Sequence, residues 1–368
     1  MKILHILNRI TYSGAEVMLK DAAQVFHKNG FESHVLSTGE DIGNYAPFLE
    51  KAGYVLHHIP FRKSPLYFLS LFLFLRREKF EVVHIHPERA FFWHALTARL
   101  SGCKRILRSV LDVFLFSGYL RQKRKLQRRI ARKFFGVEYI AIGESVKNIE
   151  QELFSNPTVI IKDWIDESIL RQPTEQERMD ARLKFDFKGE DVVVISVGTC
   201  NEKKNHYAIF RAIQSLKKSG HKRVKYLHRG TGPTRAQEME YAKELGIDND
   251  TMFLDFIDDV REAYWASDIF VMTSSYEGLG NVILEAMNCG LPVLLYNVLG
   301  MRDTLPEGKG GILVEPCEIY LISALKQLIE NPDIRIRMGK EAFESIRKNF
   351  SMAESLAKLI VLYKKSND

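Results

Sequence analysis

The stretch Ser274–Pro292, SSYEGLGNVILEAMNCGLP, decides how the rest of this chain is read. It follows a short apolar run of the kind that forms a buried strand, and it turns through Gly278 and Gly280. It then enters a helical pattern at Asn281–Asn288, which Gly290 closes. Amides at the amino end of such a helix have no partners within it, and the macrodipole adds partial positive charge there. A strand, glycine turn and helix in this order suit an anion such as a diphosphate. Gly280 lets an oxygen approach the backbone closely. Glu277 sits in the turn and Glu285 about one helical turn inside, so both carboxylates can face the same ligand. Carboxylates accept paired hydrogen bonds from vicinal hydroxyls, which a sugar or ribose presents. The plainer alternative makes Glu277 a turn residue and Glu285 a solvated helix residue.

Outward from this segment the same alternation recurs. Strands are expected at Ile3–Leu7, His34–Ser37, Val82–His86, Arg105–Ser109, Tyr139–Ile142 and Thr158–Ile161. A second series is expected at Val192–Val197, Val224–His228, Met252–Asp255, Ile269–Thr273, Pro292–Tyr296 and Gly311–Val314. Most are apolar runs without polar alternation, as in parallel sheets covered on both faces. Helical patterns at Glu16–Asn29, Tyr207–Ser219 and Arg235–Leu245 lie between them. The class is α/β, with two doubly wound, Rossmann-like domains facing a central cleft at the strands' carboxyl ends. Domain boundaries are expected at 1–168 and 169–350. Residues 351–368 form a last helix, with Leu356, Leu359, Val361 and Leu362 apolar, that packs back on the first domain.

Composition agrees with two soluble domains: 368 residues, 46% hydrophobic and 27% charged. Cys103, Cys200, Cys289 and Cys317 lie far apart with no CxxC pair, which argues against a zinc site or disulfide framework and for a reducing compartment. MKILHIL reads as a first strand rather than a secretory signal. Leu66–Leu75, LYFLSLFLFL, is too short to cross a bilayer and reads as a buried helix, with an interfacial role as the alternative.

The segment EGLGNVILEAMNCGLPV, with its Glu-x7-Glu pair Glu277 and Glu285, resembles glycosyltransferase family 4, retaining enzymes of the GT-B architecture. The resemblance implies that Glu277 lies beside the donor sugar and Glu285 binds the nucleotide ribose. Gly278, Leu279, Gly280 and Asn281 would then hold the diphosphate. SVGTCNEKKNH resembles the family's diphosphate loop, with Gly198 and Lys204 at the matching positions. A lysine is a suitable point charge for phosphate, although Lys203 and Lys204 also read as solvated loop cations. The arginine that often follows the glycine is Thr199 here, and Arg229 can supply the charge instead. Gly230 begins a turn similar to the family's glycine turn near the nucleotide base. Tyr264–Asp268 resembles the segment before the glutamate motif and is read as packing. TYSGAE, with Gly14, resembles the glycine loop opposite the donor phosphates, and Asp163–Asp166 resembles the hinge.

A second departure lies on the acceptor side. Many members carry a histidine after the strand Arg105–Ser109, whereas this chain reads RSVLDVF, with Val110 or Leu111 at that spot. Asp112 is the nearest polar side chain and is the candidate to act in its place. His84, His86 and Glu88 are further candidates, each with an equally good structural reading.

The net charge of +7 is uneven: 25 Lys+Arg against 15 Asp+Glu through Ile165 gives +10, and the remainder gives −3. RQKRKLQRRIARK, Arg121–Lys133, holds eight basic residues and no acid. Leu126, Ile130 and Phe134 fall on one helical stripe, expected to pack beneath those charges. One reading is a solvated surface helix. The other sets Arg121, Arg124 and Arg128 on anionic lipid headgroups. Nucleic acid is not an expected partner, since no reader module accompanies the charge.

The expectation is a retaining transferase that moves a sugar from a nucleotide-diphosphate sugar to a glycan or lipid-linked acceptor. The setting is surface polysaccharide assembly, capsule or lipopolysaccharide, at the inner face of the plasma membrane. No cofactor or metal is expected, because Lys204 with the helix amides can stabilise the leaving group. The competing expectation is a catalytically silent GT-B scaffold.

Overall fold

The computed structural model describes residues 1–166, 169–255 and 260–365. The chain forms two compact units, Met1–Trp164 with Met352–Asp368, and Ile165–Ser351. The division falls inside Asp163–Asp166, and the expected boundary at 168 lies outside the described residues.

The first unit holds β1 (Lys2–Leu7), β2 (Glu32–Ser37), β3 (Val55–His58), β4 (Val82–Ile85), β5 (Arg105–Val110), β6 (Val137–Ala141) and β7 (Val159–Ile160). They form one sheet ordered β3-β2-β1-β4-β5-β6-β7, in which the paired strands are parallel. Ile3, Leu4 and Ile6 of β1 are all buried, as a central strand covered on both faces requires. The edge strand β3 was not anticipated. Its sequence, VLHH, is short, half-exposed and half histidine, so it carries little apolar signal. The order reverses at β1, whose neighbours are β2 and β4, and that switch point places the segments after β1 and β4 side by side.

The last helix, Met352–Lys364, belongs to this unit and inserts Leu356, Leu359 and Tyr363 into its core. Tyr363, rather than Val361, turns inward: Val361 is 64% exposed, while the Tyr363 hydroxyl meets His84 Nδ1 at 2.7 Å. Helical spacing explains this, since residues 356, 359 and 363 share one face. The helix Pro65–Glu78 buries Tyr67, Leu71, Phe74 and Leu75 but leaves Leu66, Leu69 and Leu73 exposed, so it is only half buried. Among the described residues no helix is long and apolar enough to cross a membrane.

The basic helix Gly118–Phe135 corrects the expected packing more sharply. Its buried residues are Arg128 and Ala131, while Leu126 and Phe134 are 58% and 65% exposed. Arg128 is turned inward because two carboxylates await it. Its Nε and Nη2 donate to Glu150 Oε2 and Oε1 at 2.8 and 2.9 Å, and its Nη1 donates to Glu88 Oε1 at 3.1 Å. Arg108 Nη2 reaches the other Glu88 oxygen at 3.1 Å, and Arg124 Nε stands 3.6 Å from Glu88. Arg128 is therefore a core residue of an ion-pair network rather than a membrane contact. Glu88 is held in the same network, which removes it as an acceptor-side candidate.

The second unit holds β8 (Val192–Val197), β9 (Val224–Arg229), β10 (Thr251–Leu254), β11 (Ile269–Met272), β12 (Val293–Tyr296) and β13 (Gly311–Val314). The order is β10-β9-β8-β11-β12-β13, again parallel, with its switch point between β8 and β11. The loops after those two strands carry Gly198–Lys204 and Ser274–Gly280. Ligands of such sheets bind where these loops diverge.

Candidate active site

Hydrogen bonds to backbone carbonyls stitch the two switch-point loops of the second unit together. Ser275 N donates to Lys203 O at 2.9 Å, and Thr273 Oγ1 donates to Asn205 O at 2.9 Å. Asn201 caps a short turn at Glu202–Lys204, its Oδ1 accepting from Lys204 N at 3.1 Å. That turn aims Lys204 across the loop pair, where Nζ donates to Glu277 Oε1 at 2.8 Å. Lys203 Nζ stands 3.6 Å from Glu277 Oε2 and lies 4.4 Å from the centroid of the Tyr276 ring. Burial alone would raise the Glu277 pKa, but the charges of Lys204 and Lys203 and the hydrogen bond from Lys204 bring it below the usual carboxylate value. Glu277 is therefore a buried, ionised carboxylate held by two ammonium groups.

Glycine identity matters at two points around this pair. A Cβ on Gly230 would lie 1.8 Å from the carbonyl oxygen of Gly198, so the loops after β8 and β9 pack backbone on backbone. Gly280 has φ +84° and is the residue before the helix Asn281–Asn288, a conformation side chains other than glycine rarely adopt. No side chain caps this helix end. Leu279 is buried.

Glu285 takes a different environment one turn along. Tyr264 donates its hydroxyl to Glu285 Oε2 at 2.8 Å. Burial raises the Glu285 pKa, opposed by that hydrogen bond and by the charge of Arg229. Arg229 thus acts on Glu285. Tyr264, read from the sequence as packing, positions the second carboxylate. The sequence also passed over Leu299, whose carbonyl accepts from Glu277 N at 2.9 Å; the glycine that follows it was the available signal.

In the first unit, the segment after β1 begins its helix at Gly14, two residues before the expected start at Glu16. Glu16 is buried with its pKa raised by that burial. Against this, the Ser13 hydroxyl and the amides of Glu16 and Thr11 donate to it, so its own carboxylate already occupies this turn. His86 follows β4, with its Nε2 at 3.2 Å from His5 Nδ1. Both nitrogens of His84 are engaged, by Tyr363 and by Ser109 Oγ at 2.8 Å, which makes His84 structural. Burial first, then the neighbouring His5 and Arg108, holds the His86 pKa well below the ordinary imidazole value. His86 and Leu111 line one small cavity with Ala15 and Asp163. Asp112 lies two residues past β5, its Oδ1 accepting from Val113 N at 2.9 Å. Arg121 lies half-exposed near the start of the basic helix.

Two parallel, doubly wound units, one with a lysine–glutamate pair beside an uncapped helix end, define a glycosyltransferase of the GT-B architecture. The model for "Glycosyl transferases group 1" matches residues 177–345, and that for "Glycosyltransferase Family 4" matches residues 12–168. The chain belongs to glycosyltransferase family 4.

The lipopolysaccharide core biosynthesis glycosyltransferase LpsE of Rhizobium meliloti is 30% identical over 171 residues. The match spans 46% of this chain and about half, 49%, of that protein. The uncharacterized glycosyltransferase MJ1607 of Methanocaldococcus jannaschii is 24% identical over 332 residues, covering 82% of this chain and 81% of its own. Among solved structures, Anabaena Alr3699/HepE in complex with UDP and glucose superposes with a TM-score of 0.83 at 18% identity, covering 98% of each chain.

Proposed function

We propose that this transferase moves a sugar, with retention of configuration, from a nucleotide-diphosphate sugar to a lipid-linked or glycan acceptor in surface-polysaccharide assembly. The observation that carries this reading is the Lys204–Glu277 pair at 2.8 Å beside the amino end of the helix Asn281–Asn288. An ammonium has three donors, so Lys204 can keep Glu277 and still reach a phosphate oxygen. Charge developing on the departing diphosphate would meet that ammonium and the helix amides, with no divalent ion needed for the transfer. Glu285, oriented by Tyr264, suits a ribose diol, and Glu277 suits a donor-sugar hydroxyl. A uridine nucleotide is the first candidate, because the HepE structure contains UDP. Lipopolysaccharide assembly is suggested by the printed role of LpsE.

A panel of nucleotide sugars, assayed for release of nucleoside diphosphate in the presence of membrane lipid extract, tests the reading. Turnover of one donor at least tenfold above the others is expected. Tight binding with no turnover of any donor would favour the silent scaffold instead.

The acceptor side of the proposal places the basic helix on an anionic bilayer near the inner face of the plasma membrane. Tyr119, Leu126 and Phe134 are 82%, 58% and 65% exposed on a helix otherwise rich in Arg and Lys, the composition of an interfacial helix. Arg121 and Arg124 remain as headgroup contacts, whereas Arg128 does not. Binding to vesicles containing phosphatidylglycerol should exceed binding to neutral vesicles. Leu126→Asp with Phe134→Asp should weaken it by about tenfold or more, from lost apolar burial. Equal binding by the parent and the double variant would remove this helix from the membrane contact.

A further inference from the structure

Behind the Lys204 turn, four metal-ligating side chains from four different elements converge. Cys200 comes from the loop after β8 and His206 from the first position of the helix His206–Lys218. His228 comes from β9, and Glu238 from the helix Arg235–Glu244. All four are buried, at 0%, 3%, 0% and 0% exposure respectively. Each offers one ligand atom, and these atoms lie within 4.8 Å of one another. Cys200 Sγ is 3.4 Å from His228 Nε2, His206 Nδ1 is 3.2 Å from Glu238 Oε1, and His228 Nε2 is 3.0 Å from Glu238 Oε2. Tetrahedral zinc, with bonds of about 2.0 Å to nitrogen or oxygen and about 2.3 Å to sulfur, puts its ligand atoms roughly 3.3–3.7 Å apart. Three of the six ligand-atom pairs, at 3.0–3.4 Å, are already near that spacing, and all lie within 4.8 Å.

A surrounding layer of partners points the same way. Ser196 Oγ contacts His228 Nδ1 at 3.0 Å and Tyr226 OH at 2.6 Å, which turns His228 Nε2 toward the centre. Thr234 Oγ1 donates to Glu238 Oε1 at 2.7 Å, which orients the carboxylate. Partners of this kind fix the rings and carboxylates that bind metals. The donor set is one sulfur, two imidazoles and one carboxylate, a borderline set that suits zinc better than magnesium or calcium. Among the described residues, the other group with metal-ligating atoms in reach, His5, His84 and His86, lacks this quality, because both nitrogens of His84 are engaged by Tyr363 and Ser109.

We infer that Cys200, His206, His228 and Glu238 bind one structural zinc ion, four-coordinate and closed to substrate. On binding, the Cys200 thiol gives its proton to solvent and the sulfur becomes a thiolate ligand. The carboxylate and thiolate together balance the dication. Cys200 and His206 bracket residues 201–205, so the ion clamps the turn that carries Lys203 and Lys204. The sequence concealed this because its ligand spacing has no CxxC and is assembled from four elements. The inference does not depend on which donor the enzyme uses.

The test is metal content of the full-length protein, stripped with a chelator, re-equilibrated with zinc and measured by mass spectrometry. About one zinc per chain is expected, together with a melting temperature that rises with added zinc. Cobalt(II) in its place should show a thiolate-to-metal charge-transfer band and the visible bands of four-coordinate geometry. Cys200→Ser should lose the charge-transfer band, and His206→Ala should lose most of the bound zinc. Cys317→Ser, at an exposed cysteine, should keep both. A folded parent that takes up less than a tenth of an equivalent, or a Cys200→Ser variant that retains the charge-transfer band, would overturn the inference.

Discussion

Lys204→Ala is expected to lower the transfer rate roughly 10²–10³-fold, the scale seen when one preorganised charge-stabilising donor is removed from an active site. The lysine lies 2.8 Å from Glu277 on a turn held by Asn201, so its ammonium is positioned before any donor arrives. Its contribution should grow as negative charge develops on the leaving group, so kcat should fall more than KM rises. Lys204→Arg should rescue only in part, since a planar fork does not replace a compact ammonium at this spacing. The side chain is mostly buried but sits in a loop, so the variant should fold. Steady-state kinetics of both variants, with melting curves as a check on folding, settle the matter. A rate within a factor of three of the parent would remove Lys204 from the chemistry.

The second large effect is on stability. Arg128→Ala should destabilise the protein by about 3–5 kcal/mol, because it strands Glu150 and leaves Glu88 with fewer partners in a buried setting. Glu150 is 1% exposed and otherwise accepts from the side-chain amide of Asn156, at 2.7 Å from its Oε2. Replacing both charges, Arg128→Met with Glu150→Leu, should recover much of the loss, since no unpaired charge then remains. Arg124→Ala should cost far less, because its guanidinium is more exposed and its Glu88 contact is the longer one. Equilibrium denaturation of the three variants reads this out. Equal losses for Arg128→Ala and Arg124→Ala would contradict the buried-network account.

The contrast between those two arginines shows where sequence reading stops. Strand and helix placement in the second unit was legible because its strands are short runs rich in apolar residues, and the helix Asn281–Asn288 is bracketed by glycines at both ends. The first glutamate was legible from its place in a glycine turn before a helix, and the lysine through the resemblance of SVGTCNEKKNH to the family's diphosphate loop. β3 was not, because a half-exposed edge strand of VLHH lacks an apolar signature. The face of the basic helix was not either. Its apolar stripe suggested burial through Leu126 and Phe134, yet the buried side chain is the one whose ionic partners, Glu88 and Glu150, come from distant segments. Burial of a charge is decided by its partner, and partners far along the chain leave no local pattern. Tyr264 was hidden likewise: a tyrosine in an apolar segment reads as core, and its hydroxyl bond to Glu285 appears only in three dimensions.

The central claim is that the diphosphate of the donor is bound by Lys204 together with the amino end of the helix that starts at Asn281. Calorimetric titration of the parent and Lys204→Ala with a nucleoside diphosphate, the matching monophosphate and the bare nucleoside measures this directly. The parent should prefer the diphosphate by at least tenfold over the monophosphate, and the variant should lose most of that preference while still binding the nucleoside. If Lys204→Ala discriminates between the phosphates as well as the parent does, the diphosphate lies elsewhere and the account fails.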